Sequence, residues 1–379
     1  MGSEPPSRWR LLLHDDEVHP GECLRAPHRG PANPAGGLRS RGECHGHRGS
    51  DQVTFTAYWL PQAIHTAAKL RVPDLLKDGP RTAAELARDT QTHEDSLLRV
   101  LRTLSSVGVF AETEDGRFGL TPLSQTLRSD KPDSLWGYLM LVDSEWFWRA
   151  WAQLPHAVKT GQPGFEQAHG QTFFDYLSRH PEAGETFNKA MTSFSTISGS
   201  EVAPERYDFS KVKTVVDVAG GEGSFLVRIL NAHPHLRGVL FEQPPVIEVA
   251  KATLEKGGVA GRCECLGGSF FDSVPAGHDV YMMKMIIHDW ADDQAVRILR
   301  SCRQAMREDS KLLLIDQLLP ERKLSGVQMF IDLTMMAMFG SKERTATEFQ
   351  ALFAQAGLEL ARTIDLVNGY AIIEAKPRV

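Results

Sequence analysis

The sequence predicts an α/β protein: an open, doubly wound sheet preceded by a mostly helical, winged-helix-like unit. Three observations carry this. From about Lys213 onward, short apolar runs alternate with longer amphipathic stretches, as in successive βα units. One run, Thr214 to Asp217, is β-branched, ends in an acid and leads straight into Ala219-Gly220-Gly221-Glu222-Gly223. Such a turn lets a ligand approach bare backbone. Upstream, two helical patterns are followed by a hairpin signal.

Taken in order, the first segment stands apart. Residues 1–50 hold eight Gly, six Pro, seven Arg and no Lys. They show no apolar period and no signal-peptide core, so residues 1–52 are expected to form a disordered extension. A basic tail with a partner and a segment without function both fit that composition. Cys44, His45 and His47 are of metal-binding type, but nothing else supports a site there, and no metal is expected.

Order is expected from Val53. Phe55 to Leu70 reads as a helix. Thr82-x-x-Glu85 is a capping box opening a short helix. Between Asp95 and Val107, Leu97, Leu98, Leu101, Leu104 and Val107 share one helical face. Val109–Thr113 and Arg117–Thr121 flank Asp115-Gly116, a hairpin turn. Helix, helix, hairpin is the winged-helix order. As a DNA reader the second helix is poorly equipped, because Arg99 and Arg102 are its only basic residues.

Residues 134–200 read as helical and aromatic-rich. Strands are expected at 213–218, 237–241, 262–267, 278–285, 311–317, 359–367 and 370–375. Helices are expected at 245–256, 292–306 and 345–355. Ala295, Ile298, Leu299, Cys302, Ala305 and Met306 give the second of these an apolar face.

Composition narrows the function. The 379 residues are 42% hydrophobic and 24% charged, ordinary for a soluble protein and enough for two domains, 53–200 and 201–379. A net charge of -6 argues against a nucleic-acid partner. No apolar run approaches the ~20 residues that span a bilayer, so no membrane is expected. Cys23, Cys44, Cys263, Cys265 and Cys302 make no CxxC pair. They read as free thiols of a reducing, cytoplasmic environment.

The glycine turn points to a nucleotide-type ligand. A dinucleotide fingerprint needs a third glycine where Leu226 stands, and no Lys-Ser or Lys-Thr follows to make a P-loop. Some twenty residues on, Val239 to Phe241 ends in Glu242, an acid able to accept both hydroxyls of a ribose. The plainer alternative is a tight βα turn with a surface Glu. His288 closes the apolar run Val280 to Ile287 and precedes Asp289-Trp290, at a strand end where open α/β sheets hold ligands. Asp316 follows Leu312 to Ile315, another expected strand end. Asp332, Met335, Met336 and Met338 share one expected helix. Methionines adapt to irregular apolar ligands, and a core or dimer helix would look the same.

Asp217-x-x-Gly220-Gly221-x-Gly223 followed by Glu242 resembles the cofactor site of class I S-adenosylmethionine (SAM) methyltransferases. Lys284 to Trp290 (KMIIHDW) and Ser341 to Thr345 (SKERT) resemble the small-molecule O-methyltransferases of plant phenolic and bacterial polyketide pathways. The resemblance runs from about residue 53 to the C-terminus. It implies a Rossmann-like catalytic domain and a winged-helix domain serving homodimerisation. It implies SAM held by Asp217, Gly220, Gly221, Gly223 and Glu242, with Lys284 nearby. Gly268-Ser269-Phe270 stands where the family usually has Gly-Asp-aromatic, so Ser269 offers the adenine no charge. The resemblance makes His288 the general base, flanked by Glu343, with Asp316 where the family often has Glu. Trp146, Phe147 and Met191 are then candidates to face an aromatic acceptor, joined by Asp289, Asp332, Met335 and Met336.

A base suits the chemistry. A phenol with a pKa near ~10 stays protonated at neutral pH, and an imidazole near ~6.5 can take its proton during attack on a methyl group. Two other readings remain: hydroxylation or decarboxylation of a polyketide on the same fold, and a ligand-sensing winged-helix DNA-binding protein. A nicotinamide oxidoreductase is disfavoured by Leu226.

Overall fold

The computed structural model describes residues 58–131, 133–322 and 326–378. The expected N-terminal extension and its Cys44, His45 and His47 lie outside these.

The first layer is helical with a small wing. Trp59–Lys69, Ala83–Thr90 and Glu94–Ser106 are helices. Strands β1 (Arg81–Thr82), β2 (Phe110–Glu112) and β3 (Arg117–Leu120) form an antiparallel sheet in the order β1-β3-β2. The capping box is present: the Glu85 N–H donates to Thr82 Oγ1 at 3.2 Å, and Glu85 Oε2 accepts from the Thr82 N–H at 2.8 Å. Leu86, Leu101, Leu104, Phe110 and Phe118 close one core between helices and wing. Val107, expected on the apolar face, follows the helix as its exposed cap residue.

A run of helices follows, from Trp136–Val142 to the long helix Pro181–Ser198. Its aromatic residues form their own cluster, with Phe147, Phe165 and Phe173 buried.

The large sheet contains β4 (Thr214–Val218), β5 (Arg237–Glu242), β6 (Cys263–Gly267), β7 (Val280–Lys284), β8 (Lys311–Leu319), β10 (Leu358–Asp365) and β11 (Tyr370–Pro377). Their order is β10-β11-β8-β7-β4-β5-β6, and a short β9 (Arg344–Thr345) pairs with β8. Every expected strand is present. The five strands β4 to β8 are parallel, while β11 runs antiparallel to β8 and to β10, so the sheet is mixed. The connection from β10 to β11 explains this: four residues cannot make the dozen-residue crossover of a parallel pair.

Both faces are covered. Ser224–Ala232 and Pro244–Lys256 pack Leu226, Ile229, Leu230, Ala250 and Leu254 on one side. Asp292–Ala305 and Ala346–Gln355 pack Ile298, Leu299, Cys302, Phe349 and Phe353 on the other. β4 pairs with β5 on one edge and β7 on the other. The chain reverses its winding there, and a crevice opens at the carboxyl ends of these strands. Among the described residues no helix is long and apolar enough to cross a membrane. Cys263, Cys265 and Cys302 are free.

Two expected strand ends differ. β7 stops at Lys284, because Met285 adopts a left-handed φ of 57°, and His288 sits in a short 3-10 turn, Ile287–Asp289. β8 continues to Leu319, so Asp316 lies inside a central strand and is 1% exposed. The run of aliphatic residues hid this, since an acid looks like a terminator until its buried partner is known.

Candidate active site

A single cavity of about 1400 Å³ spans the strand ends and the helical layer. That exceeds the ~300–1,000 Å³ of an ordinary single-ligand pocket, so it has room for two ligands. Of the residues expected from sequence, Asp217, Gly220, Gly221, Glu242, Gly268, Ser269, Phe270, Lys284, His288, Asp289, Phe147, Met191 and Met335 line it.

One end is the glycine turn. Ala219 and Gly221 take left-handed φ values of 58° and 57°. A Cβ on Gly220 would lie 2.5 Å from Leu240 and 2.6 Å from the Asp217 carboxyl, so only glycine fits between strand and turn. Glu242, at the end of β5, accepts the Gly221 N–H at 3.0 Å and the Gln243 N–H at 2.7 Å. Burial raises its pKa against those two hydrogen bonds. Asp217 is buried at the adjacent strand end, with Oδ2 lacking a hydrogen-bond partner. Burial pushes it up to about 7, although Lys284 pulls the other way. Lys284 is half-buried, its ammonium donates to Ser195 Oγ at 2.5 Å, and its desolvation lowers its pKa. Ser269 accepts the Phe271 N–H at 3.2 Å, fixing the loop that presents Phe270.

The other end is aromatic. Phe174 stacks on Trp290 at 5.8 Å and 18°, and on Phe339 at 5.7 Å and 26°. Phe187, Trp148 and Trp151 add to the wall.

Between the two ends sits His288, 4% exposed. Its Nδ1 lies 2.9 Å from Glu343 Oε1 and 3.3 Å from Asp316 Oδ1, while Nε2 lies 3.4 Å from Asp289 Oδ1. Burial disfavours the imidazolium, but the Asp316, Glu343 and Asp289 carboxylates outweigh it and raise the pKa well above 6.5. Burial raises Asp289 to about 7 and Asp316 to about 6, both opposed by His288. The donor atoms of His288, Asp316 and Glu343 lie within 4.8 Å of one another, a spacing a cation could also use. No metal was expected from sequence.

Several expectations are corrected by position. Gly223 does not line the cavity; it takes φ 79° ahead of helix Ser224–Ala232. Trp146 packs away from it, against Phe165, Phe173 and Tyr176 at 5.7–6.3 Å. Met336 is not in the wall, although Met335 and Met338 are, because one helix face serves the cavity. Asp332 faces the backbone: its Oδ1 accepts the Glu343 N–H at 2.8 Å. Glu343 and Asp316 stand behind His288, outside the wall.

Sequence reasoning missed Arg344, which is 1% exposed. It donates to the carbonyls of Ile287 at 2.9 Å and Trp290 at 2.7 Å, and to Asp292 at 2.8 Å. Ser341 Oγ also donates to the His288 carbonyl. These bonds hold the turn that carries the histidine. The SKERT run was the available signal.

Such a cavity suits an enzyme that brings a nucleoside-type cofactor and an aromatic second ligand to one buried histidine. Residues 151–359 match the model of the O-methyltransferase domain, and residues 53–130 that of the O-methyltransferase dimerisation domain. The phenazine O-methyltransferase PhzM of Lysobacter antibioticus is 43% identical over 323 residues, covering 85% of this chain and 94% of its own. The solved structure of the mitomycin 7-O-methyltransferase MmcR superposes with a TM-score of 0.82 at 41% identity, covering 87% and 97%. An O-methyltransferase of neocarzinostatin biosynthesis, solved with SAM and 2-hydroxy-5-methyl naphthoic acid, matches with a TM-score of 0.73 at 33% identity, covering 84% and 95%. The chain belongs to the O-methyltransferase family. It is a SAM-dependent O-methyltransferase with a Rossmann-like catalytic fold and a dimerisation domain.

Proposed function

We propose that this enzyme methylates a hydroxyl on an aromatic natural-product intermediate, with His288 as general base. The observation that carries it is the 2.9 Å contact between His288 Nδ1 and Glu343, which leaves Nε2 directed to the cavity side, toward Asp289. Working units of 53–200 and 201–379 follow the sequence reading.

The residues at the glycine end fit SAM. Asp217 Oδ2 is a buried acceptor without a partner beside a bare turn, which suits the ammonium group of an amino acid. Glu242 suits the ribose hydroxyls. SAM supplies, when bound, the electrophilic methyl group that an acceptor oxygen attacks. His288 Nε2 takes the hydroxyl proton, and Glu343 and Asp316 stabilise the resulting imidazolium. The aromatic wall holds the ring and excludes water.

Glu242→Ala is expected to weaken SAM affinity ~10–100-fold, the worth of one or two hydrogen bonds to a charged group. Titration calorimetry reads this, and native affinity would remove Glu242 from the cofactor site.

The pH dependence has a defined sign. A base must be neutral to act, and the carboxylates hold the His288 proton to a pH well above the ordinary histidine range. Activity should therefore rise with pH above 6.5 and then level off. Glu343→Gln removes one carboxylate, so the midpoint should fall. An upward shift of the midpoint in that variant would count against the electrostatic role.

A homodimer is expected through residues 53–130, the span matched by the dimerisation-domain model. Light scattering at micromolar concentration checks it, and a monomer mass would overturn it.

Incubation with methyl-labelled SAM and a panel of hydroxylated aromatics tests the function as a whole. Mass spectrometry should find a mass gain of one methylene on one acceptor oxygen. Release of carbon dioxide or insertion of oxygen instead would replace the reading with decarboxylation or hydroxylation.

A further inference from the structure

The charge balance of the cavity carries information about the acceptor that the family likeness does not. Among the described residues lining it, six are carboxylic: Asp143, Glu201, Asp217, Glu222, Glu242 and Asp289. Only two are Lys or Arg, and both are engaged. Lys284 lies beside Asp217 and donates to Ser195 Oγ at 2.5 Å. Arg228 forks onto Glu201, reaching Oε2 at 3.1 Å and the backbone carbonyl at 3.0 Å. Both belong to the glycine-turn half: Lys284 ends β7, and Arg228 stands on the helix that follows the turn. The imidazole of His288 is already faced by three carboxylates.

The acceptor half contains no Lys or Arg among the described residues. Its polar lining includes Tyr58, Tyr138, Asp143, Asn188, Thr192 and Thr334, with Asp289 beside the base. Asp143 Oδ1 accepts from Trp148 Nε1 at 3.1 Å and Gln62 at 3.2 Å, while its buried Oδ2 has no partner and adds a further bare acceptor to this half. An anionic group on the acceptor would enter an apolar space without a counter-ion, near two acids. Burying a charge without a partner costs far more than burying a neutral polar group.

We propose that the acceptor is an uncharged, fused-ring phenol, and that the cavity selects against ring carboxylates. The inference rests on the reading of this cavity as an acceptor site. The Phe174, Trp290 and Phe339 rings, stacked on one another, give the wall an extended aromatic surface that suits a flat ring system. Neutrality follows from the missing cation. Lys284 is no substitute, since it ends β7 in the glycine-turn half and its ammonium is held by Ser195 Oγ.

The experiment compares matched pairs. Hydroxyphenazine and hydroxynaphthalene scaffolds carry, away from the reacting hydroxyl, either a carboxylate or the primary carboxamide of the same shape. Binding to the full chain saturated with S-adenosylhomocysteine is measured by calorimetry, and turnover with SAM by mass spectrometry. The carboxamide is expected to bind at least ~30-fold more tightly, as befits an unpaired buried charge. Thr334→Lys, which adds a cation to the wall, should narrow that ratio. Equal or tighter binding of the carboxylates by the native protein overturns the proposal, and so does failure of both members of every pair to bind. Binding with the expected preference but no methyl transfer would instead overturn the methylation reading and leave the charge selectivity standing.

Discussion

His288→Ala should reduce turnover by ~10²–10⁴-fold, the usual worth of a positioned proton acceptor. SAM affinity should stay near native, because Asp217 and Glu242 belong to β4 and β5 and Gly220 and Gly221 to the turn after β4. The loss should shrink for acceptors with more acidic hydroxyls, which need less help to ionise. A second consequence separates catalysis from folding. Without the imidazolium, Asp289, Asp316 and Glu343 are left with only Arg344 nearby, whose guanidinium is already bonded to Asp292. Asp289 and Asp316 already lie at about 7 and about 6 with His288 present. Their pKa values should rise further in the variant. A carboxyl whose folded pKa is raised stabilises less as pH climbs from its unfolded value near ~3.9 through the folded one, so the variant should lose stability over that window, which reaches to higher pH than in the native protein. His288→Gln, which keeps an amide donor toward Glu343, should recover part of that stability and none of the turnover. Near-native turnover in either variant would remove His288 as the base.

Arg344→Ala should cost about 3 kcal/mol or more of stability. It strips the half-buried Trp290 carbonyl of its donor, ~1–3 kcal/mol if left unsatisfied, leaves the Ile287 carbonyl only the Trp290 N–H at 3.3 Å, and opens a cavity. The Asp292 partner is half-exposed, so its lost ion pair adds little. The larger effect is on the histidine turn, which Arg344 and Ser341 together hold against the helix layer. Loosening it should lower kcat more than it weakens SAM binding. Arg344→Lys should rescue only partly, since one ammonium cannot reproduce the planar fork that reaches two carbonyls and a carboxylate. Denaturant melts and single-turnover rates read both effects. A variant with native stability and native kcat would show that the turn holds its own shape.

How much of this was legible in the sequence varies with how local each feature is. The glycine turn, Glu242, the capping box at Thr82 and the alternation of strands and helices are written in short windows, because each depends on backbone conformation or on a period of two or 3.6 residues. His288 and Glu343 were found as motif members although 55 residues separate them. The aromatic segment was visible as a density of rings. Its wall was not: Phe147 faces the cavity and the adjacent Trp146 faces the core. A one-residue step turns a helix by about 100°, and only packing decides which direction is inward.

By itself, then, the sequence determined the order of elements and the turn that requires bare backbone, and it singled out Glu242 and His288 as the candidate cofactor acid and base. Those are consequences of local sterics and of residue chemistry. The tertiary structure alone decided that β8 carries Asp316 through the centre of the sheet, that Asp332 supports the Glu343 backbone instead of the cavity, and that Arg344 clamps the histidine turn. It also decided the charge of the acceptor half. Each of these depends on which side chains from distant segments share a low-dielectric interior, and a buried polar group takes its meaning from the partner it meets there.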